Sequence, residues 1–455
     1  MTEAIQAARP GTDDALLCEE TVRFTSELIR IDTSNRGGGD CRERPAAEYA
    51  AALLAEAGHR PLLLESAPGR ANVVTRIAGR EPALPALLVH GHLDVVPAEA
   101  ADWTVPPFSG EIRDGLVWGR GAVDMKNTVA TMLAVARAWA REGRRPRRDV
   151  VLALTADEED SAAAGAGWLA EHHADLFAGC TEGIGESGGH TVHTAAGQRL
   201  YPVAAGERGT AWLRLTATGR AGHGSQPNDA NAVTRLCAAM ARIGAHRWPP
   251  RITPTVRAAL TALAEATGTP LDPGCLDDPT GAGVDDFVAR LDPAAATLVA
   301  GTLRNSAHPT VLRAGGKVNV VPGTATGGVD GRVLPGGEQE FHATLDALTG
   351  PDVDWTYQHR TIPLQSPVDA PLFAAMRDAL LAHDPGARVV PYAMSGGTDA
   401  KQFSRLGITG YGFAPLLLPP GFDHQRLYHG VDERVPVAAL HFGARVLDDL
   451  LSNAG

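Results

Sequence analysis

The chemistry that this sequence can perform is first visible at His92 and Asp94, which follow a short apolar run at residues 86–89. The run predicts a buried strand, and side chains two residues apart in an extended chain point to the same side. A neutral imidazole is a common zinc ligand, and a nearby carboxylate is the usual group that orients it. A hydrogen-bonded pair of loop residues is the alternative that this segment alone leaves open.

Acidic residues occupy three further positions of the same kind. Asp124 lies in a glycine-rich turn before a predicted helix at 127–142, where an Asp that caps the helix is the alternative. Glu158 and Glu159 follow a predicted buried strand, although a run of four acids is more commonly a solvated surface. Glu186 ends another short segment. Because open α/β sheets place their sites at the carboxyl ends of strands, these acids are candidates for one shared site.

A second imidazole is available at His429, which on its own would be typical of a capping or surface histidine. Two histidines and several carboxylates, without cysteine, suit two zinc-like ions bridged by one carboxylate. Glu158, next to Glu159, is the natural general base. The combination predicts hydrolysis of an amide or related bond by water held between two metal ions.

Other catalytic motifs are weak or missing in the sequence. Residues 183–188 spell G-x-G-x-x-G, but 190–198 lack the apolar periodicity of a helix that would receive a pyrophosphate, so we expect no dinucleotide site there. The sequence contains neither an H-E-x-x-H zinc motif nor a G-x-S-x-G nucleophile elbow.

The composition is that of an ordinary globular protein. The 455 residues are 44% hydrophobic and carry a net charge of -12, so we expect no general attraction to nucleic acid or to an anionic membrane. No apolar run is long enough to span a bilayer, and the stretch from Met1 to Asp14 lacks the apolar region of a signal peptide, which predicts a cytoplasmic protein. The five dispersed cysteines argue against both a disulfide framework and a thiolate zinc cage.

The order of predicted elements indicates two kinds of domain. Helices alternate with short apolar runs up to about residue 206, which predicts an α/β domain with a mainly parallel sheet. From 207 the strands have polar faces, as in a separate α+β domain inserted into the first. We therefore predict a catalytic domain at 1–206 and 363–455 and an inserted lid or dimerisation domain at 207–362.

Five ordered motifs connect the sequence to a known family. They are His92-x-Asp94, Gly121-x-x-Asp124-Met-Lys, Asp157-Glu158-Glu159, Gly222-His223-Gly224-Ser225 and His429-Gly430-x-Asp-Glu-Arg. Together they resemble the M20 family of metallopeptidases, which includes carboxypeptidases, dipeptidases, aminoacylases and several deacylases. The resemblance covers nearly the whole chain, and the order of the motifs makes it specific.

The resemblance implies a role for each candidate residue. One metal ion would be held by His92 and Glu186, the second by Glu159 and His429, and Asp124 would bridge both. Asp94 would orient His92, and Glu158 would take the proton from the bridging water. The expected ions are Zn²⁺, with Co²⁺ or Mn²⁺ as alternatives.

Further positions in this resemblance concern the substrate. His223 would reach in from the lid to stabilise an oxyanion, and in dimeric relatives the equivalent histidine comes from the partner subunit. Asn319 and Arg332 match lid residues that contact a free carboxylate, and a surface arginine on a strand is the alternative for Arg332. Gly397 and Thr398 resemble a substrate-contacting loop. A homodimer is the expected assembly.

These expectations define one main functional prediction and two alternatives. The main prediction is a dinuclear-metal hydrolase that cleaves an amide bond of an N-acyl amino acid or short peptide next to a free carboxylate. The Ser-Gly-Gly that follows Glu186 is closer to the carboxypeptidase-like branch than to many deacylases. A deacylase or amidase acting on a biosynthetic intermediate is the first alternative, and a catalytically silent metal-binding protein is the second. The long irregular segment at 249–316 could shape an acyl pocket or change the dimer contact.

Overall fold

The computed structural model describes residues 12–455 of the chain. Residues 1–11, which belong to the stretch interpreted above as lacking a signal peptide, lie outside the described residues. None of the described helices is both long enough and apolar enough to cross a membrane.

Residues 12–455 form twelve α-helices and nineteen strands. The helices are α1 (Thr12–Ile29), α2 (Arg44–Glu56), α3 (Lys126–Glu142), α4 (Ala166–His172), α5 (Ala232–Ala245), α6 (Pro254–Thr267), α7 (Ala282–Arg290), α8 (Pro293–Ala300), α9 (Glu338–Thr349), α10 (Pro371–His383), α11 (Ala400–Phe403) and α12 (Val437–Asn453).

The strands, in the same order along the chain, are β1 (Leu62–Ala67), β2 (Arg70–Ile77), β3 (Ala86–His92), β4 (Ile112–Arg113), β5 (Leu116–Trp118), β6 (Val150–Thr155), β7 (Cys180–Gly185), β8 (Val192–His193), β9 (Arg199–Glu207), β10 (Gly209–Thr218), β11 (Gly222–His223), β12 (Ser306–Ala314), β13 (Val320–Val321), β14 (Thr324–Val333), β15 (Val353–Arg360), β16 (Leu364–Gln365), β17 (Arg388–Met394), β18 (Thr409–Gly412) and β19 (Arg434–Pro436).

The chain forms two compact units. The first unit comprises the described residues up to Val203, together with Asp369–Val389 and Thr398–Gly455, and the second comprises Ala204–Val368 and Val390–Gly397. Most of the second unit is thus inserted between two parts of the first in the sequence, and β9 and β17 are the strands within which the chain passes from one unit to the other.

A mostly parallel sheet organises the first unit, as the sequence predicted for the fold class. Its strands follow the order β1-β2-β6-β3-β7-β18. Strand β3 is parallel to β6 and to β7, and β7 is parallel to β18, whereas β2 is antiparallel to both β1 and β6. Every residue of β3 and β6 is buried, which is typical of parallel strands covered on both faces.

Helices pack against this sheet. On one side, Leu169 of α4 and Phe403 of α11 belong to the same buried cluster as Leu88 and Val151 of the sheet. Helices α1, α3 and α12 contact one another, and α3 is buried along most of its length. Because β3, β6 and β7 run in the same direction, the loops that follow them all begin at one edge of the sheet.

The second unit is built on a four-stranded antiparallel sheet of order β12-β14-β10-β15. Alternate residues of β10, such as Leu213 and Leu215, are fully buried in a cluster that includes residues of α5 and α9. Trp212 lies on the opposite face and is 46% exposed. The segment at 249–316, which was interpreted from the sequence as irregular with two helical patches, forms α6, α7, α8 and the whole of strand β12.

Candidate metal centre

His92 is the last residue of β3, and its imidazole is almost completely buried. Its Nε2 lies 3.2 Å from Oδ1 of Asp124 and 3.7 Å from Oε2 of Glu186. Its Nδ1 lies 2.9 Å from the backbone carbonyl oxygen of Asp94, and 3.6 Å from the carboxylate of the same residue. A ring whose Nδ1–H donates to that carbonyl presents the lone pair of Nε2 to the acids, as a metal ligand must.

Asp124 lies between the two candidate histidines. Its Oδ1 faces Nε2 of His92 at 3.2 Å, and its Oδ2 faces Nε2 of His429 at 3.3 Å. His429 also lies 3.0 Å from Oε2 of Glu159. Asp124 precedes α3, and no side-chain cap holds the helix start, so the capping role considered for it does not describe this side chain.

Two groups of potential ligands result, and they share one carboxylate. The first group is His92, Asp124 and Glu186, and the second is Asp124, Glu159 and His429. Within each group one ligand atom per residue lies within 4.8 Å of the others. The first unit therefore brings together all five residues that the sequence proposed as metal ligands.

The pKa values of these groups show how crowded the acids are. Burial raises the pKa of Glu158 well above its ordinary value, and the Glu186 carboxylate raises it further. Burial likewise raises the pKa of Glu159 to about 7, with a further contribution from Asp124. Hydrogen bonds that His429 donates to the carboxylates of Asp124 and Glu159 raise its pKa to about 10. Burial acts to lower the pKa of His92, but the surrounding carboxylates outweigh it and raise this pKa well above the usual value.

These residues fit a pair of divalent cations. Five carboxylates face only two imidazoles, so the ionised acids repel one another unless cations are bound. Oε1 of Glu159 is buried and has no hydrogen-bond partner among the described residues, as expected for an oxygen that binds a metal ion. Imidazole and carboxylate donors without thiolate suit zinc, cobalt and manganese.

The Asp94 carboxylate holds the loop that carries Glu158 and Glu159. It is completely buried and accepts hydrogen bonds from the backbone N–H of Glu158 at 3.2 Å and of Glu159 at 3.1 Å. Asn35 donates a third hydrogen bond to it at 2.9 Å. Asp94 therefore joins the end of β3 to the loop after β6, which is a contact that the His-x-Asp spacing alone did not reveal.

A buried network of charged side chains also holds the loop that carries Glu158 and Glu159. Asp157, with φ of 66°, accepts hydrogen bonds from Arg70 at 2.7 Å and from Asn35 at 3.2 Å. Arg70 also forms a two-pronged pair with Glu43, at 2.7 and 2.8 Å. All three charged side chains are about 95% buried or more. Sequence reasoning missed this network, since Glu43 and Arg70 lie about 90 to 110 residues away from the loop.

Asp399 is a further buried acid that the sequence did not single out for a role. It lies in the segment Ser395-Gly396-Gly397-Thr398-Asp399, and Thr155 at the end of β6 donates a hydrogen bond to it at 2.6 Å. Burial raises the pKa of Asp399 to about 7. The glycine-rich sequence around Asp399 could have pointed to this residue, but from that segment only Gly397 and Thr398 were proposed as functional residues.

The proposed substrate residues lie mainly in the second unit. His223 is exposed on β11, and its Nδ1 lies 2.8 Å from the hydroxyl of Ser225. Asn319 lies close to His223, because the backbone carbonyl of Asn319 accepts a hydrogen bond from the N–H of Gly224 at 2.9 Å. Arg332 lies on β14, where it pairs with Asp330 at 2.8 Å.

The two loop residues proposed to contact substrate fall on either side of a unit boundary. Gly397 is exposed and ends the second unit. Thr398 is buried in the first unit, where its hydroxyl accepts a hydrogen bond from the N–H of Ala400 at 3.1 Å.

A mostly parallel sheet with two adjoining groups of histidine and carboxylate ligands at the ends of its strands defines an α/β protein with a candidate dinuclear metal centre. Residues 88–453 match the sequence model of Peptidase family M20/M25/M40, and the chain belongs to this family. The family resemblance predicted from the motifs is therefore confirmed, and the protein is a hydrolase of the M20 type.

Individual relatives agree with this classification. N-fatty-acyl-amino acid synthase/hydrolase PM20D1 of Xenopus tropicalis is 28% identical, over 96% of this chain and 86% of that protein. Probable carboxypeptidase S-like 2 of Dictyostelium discoideum is 27% identical, over 79% of this chain and 70% of that protein. The fold is similar to that of the M20 metallo-carboxypeptidase Sso-CP2 from Sulfolobus solfataricus, with a TM-score of 0.69, 16% identity, and coverage of 95% of this chain and 98% of that one.

Proposed function

We propose that the protein is a dinuclear-metal hydrolase that cleaves an amide bond of an N-acyl amino acid or short peptide next to a free carboxylate. The observation that carries this proposal is the pair of ligand groups that share Asp124. One carboxylate facing two imidazoles at 3.2 and 3.3 Å is the arrangement that two bridged ions require.

The ligand roles follow from the two groups. His92 and Glu186 would hold one ion, Glu159 and His429 the other, and Asp124 would bridge them. We expect Zn²⁺, with Co²⁺ or Mn²⁺ as alternatives. Two such ions, when bound, polarise a carbonyl and lower the pKa of water.

Glu158 is the proposed general base. Its Oε2 lies 4.0 Å from Nε2 of His92, and its side chain is only 16% exposed. A carboxylate this close to the proposed ligands can accept a proton from water bound between them. Asp94 keeps Glu158 in place through the backbone N–H, so that the carboxylate remains next to the ligands.

The substrate proposal combines the lid residues with the relatives. His223 would stabilise the oxyanion that forms at the cleaved carbonyl, and Asn319 and Arg332 would bind the free carboxylate. Gly397 and Thr398 would contact the rest of the substrate. The similarity to an N-fatty-acyl-amino acid synthase/hydrolase over nearly the whole chain favours N-acyl amino acids among the possible substrates. In this proposal the first unit is the catalytic domain and the second unit is the lid.

A cytoplasmic homodimer is the proposed state of the protein. Strand β12 lies at the edge of the sheet in the second unit, and Val311 and Leu312 on it are 43% and 54% exposed. A long exposed edge strand with apolar side chains offers unpaired backbone groups with which another chain can pair. Sedimentation of the full chain tests this assembly, and a monomer at micromolar concentration would contradict it.

The proposed function is tested by replacing the base while keeping the metal ligands. Glu158→Gln should bind the same two equivalents of Zn²⁺, measured by elemental analysis, because Gln preserves the shape of the side chain. Its kcat on a panel of N-acyl amino acids and dipeptides should fall by about 10²- to 10⁴-fold, since general-base catalysis is lost.

The matched control is Asp160→Asn, which changes an exposed acid of the same run and should leave kcat within about twofold. Removal of metal with a chelator should abolish turnover, and added Zn²⁺ should restore it. An unchanged kcat in Glu158→Gln would remove Glu158 as the base. Absence of cleavage across the panel by metal-loaded wild-type protein would contradict the proposed function itself.

A further inference from the structure

Glu433 is a completely buried acid four residues after His429, and its carboxylate is surrounded by donors from another part of the chain. Oε1 accepts hydrogen bonds from the backbone N–H of Val123 at 2.7 Å and of Asp124 at 3.0 Å. Oε2 accepts from the N–H of Gly121 at 2.9 Å and from the guanidinium of Arg120 at 2.7 Å. One side chain thus binds four donors within five consecutive residues.

The main chain of Glu433 strengthens the same connection. Its carbonyl accepts a hydrogen bond from the N–H of Gly119 at 2.9 Å, so side chain and backbone both hold the segment that leads to Asp124. Hydrogen bonds to a charged acceptor are about twice as strong as neutral ones. The donor at Asp124 is the backbone amide of the proposed bridging residue, so Glu433 contacts the segment that carries this ligand.

His429 is the most exposed of the five proposed ligands. Its side chain is 57% exposed and lies in a loop with positive φ at His429 and at Asp432, whereas His92 is fixed within a buried strand. The spacing of 3.3 Å between His429 and Asp124 joins two loops that are about 300 residues apart in the sequence. Glu433 is the carboxylate that ties one of these loops to the other.

We propose that Glu433 is a positioning residue that sets the distance between Asp124 and His429, and thereby the affinity of the second metal ion. This inference depends on the proposed dinuclear function. Because His92 and Glu186 are held by other elements, the loss of Glu433 should weaken the ion at Glu159 and His429 more than the ion at His92 and Glu186. Replacing a group that orients metal ligands typically lowers metal affinity by about 10- to 100-fold.

The experiment compares stepwise Zn²⁺ binding by calorimetry, starting from chelator-treated full-length protein. Glu433→Gln keeps the size of the side chain but places an amide against the N–H donors. Because this change also leaves the buried guanidinium unpaired, a second variant, Glu433→Met with Arg120→Met, removes both charges together. The control is Asp432→Asn, at the residue that directly precedes Glu433. Both oxygens of the Asp432 carboxylate accept hydrogen bonds from Thr104, each at 2.7 Å.

The expected result is an asymmetric change. Both Glu433 variants should bind one Zn²⁺ ion within about threefold of wild type and the other about 10- to 100-fold less tightly. Asp432→Asn should keep both constants within about threefold. Thermal unfolding in chelator shows whether each variant is folded, and the split between the two constants is a readout that a general loss of stability would not produce.

Two other results separate failure of this inference from failure of the proposed function. If wild-type protein binds fewer than two Zn²⁺ ions, the dinuclear proposal fails. If the wild type binds two ions and the folded Glu433 variants bind both as the wild type does, or lose both equally, then Glu433 does not position the second site.

Discussion

The substitution Asp94→Asn tests whether one buried carboxylate holds the loop that carries the proposed base. Asp94 accepts hydrogen bonds from the N–H groups of Glu158 and Glu159 and from the side chain of Asn35. Asparagine has the same shape but only one acceptor oxygen. If that oxygen faces Glu159 and Asn35, the new amide meets the N–H of Glu158, and two donors then face each other.

The magnitude follows from these three contacts. One buried N–H loses its partner, which costs about 1–3 kcal/mol. The two remaining hydrogen bonds lose their charged acceptor and weaken, but removal of one negative charge from a crowded group of acids offsets part of this loss. We therefore expect Asp94→Asn to lower the free energy of unfolding of the metal-free protein by about 2 kcal/mol. Metal affinity should fall by about 10- to 100-fold, since the carboxylate 3.6 Å from His92 loses its charge and the loop that carries Glu159 is held less firmly.

Urea denaturation in chelator measures the first effect, and Zn²⁺ titration of the folded protein measures the second. The matched control is Asp149→Asn, since Asp149 also accepts a backbone N–H, from Gly79 at 2.9 Å, but pairs with Arg76 nearer the surface. It should change the free energy of unfolding by less than about 1 kcal/mol. The reasoning is refuted if Asp94→Asn unfolds like the wild type and binds Zn²⁺ equally well.

Two further predictions concern acid stability and substrate binding. Burial lowers the pKa of His190 to about 4, so this ring stays neutral in the folded protein while the unfolded chain takes up a proton below about pH 6.5. The free energy of unfolding should therefore fall as pH drops from 6.5 towards 4. In His190→Gln the free energy of unfolding should depend less steeply on pH, by about 1.4 kcal/mol per pH unit. Urea denaturation in chelator at a series of pH values measures this difference. If the free energy of unfolding depended on pH equally steeply in the wild type and in His190→Gln, the lowered pKa of His190 would be contradicted. Arg332→Ala should lower kcat/KM by about tenfold or more on substrates with a free carboxylate, but much less on their amidated analogues. An equal loss on both would exclude a carboxylate contact.

The sequence was most informative where ligands follow strands directly. His92 ends β3, and Glu158 and Glu159 follow β6, whose apolar residues are continuous and easily recognised. A parallel sheet brings such strand ends to one edge, so local patterns were sufficient to predict that these residues meet. Local pattern was also sufficient for the helix predicted at 127–142, which the structure places at Lys126–Glu142.

The sequence was least informative where partners are distant. Within the acidic run at 157–160, Asp157 is buried against Arg70, whereas Asp160 is exposed, and nothing in the local pattern distinguishes them. Strand β12 was missed because most of its residues are exposed, so it lacks the alternation of a half-buried strand. Its position is set by pairing with β14, which a local reading of the sequence does not capture.

The acids of this site differ in how many donors they already bind, and this difference separates supporting residues from proposed ligands. Asp94 accepts three hydrogen bonds and Glu433 four, mostly from backbone N–H groups, so their negative charge is used to hold loops. Oε1 of Glu159 is buried without a hydrogen-bond partner among the described residues, and its other oxygen faces His429. A buried carboxylate oxygen without a donor is costly unless a cation binds it. The same residue type therefore serves two purposes, and only the three-dimensional distribution of N–H donors shows which acids remain available to metal ions.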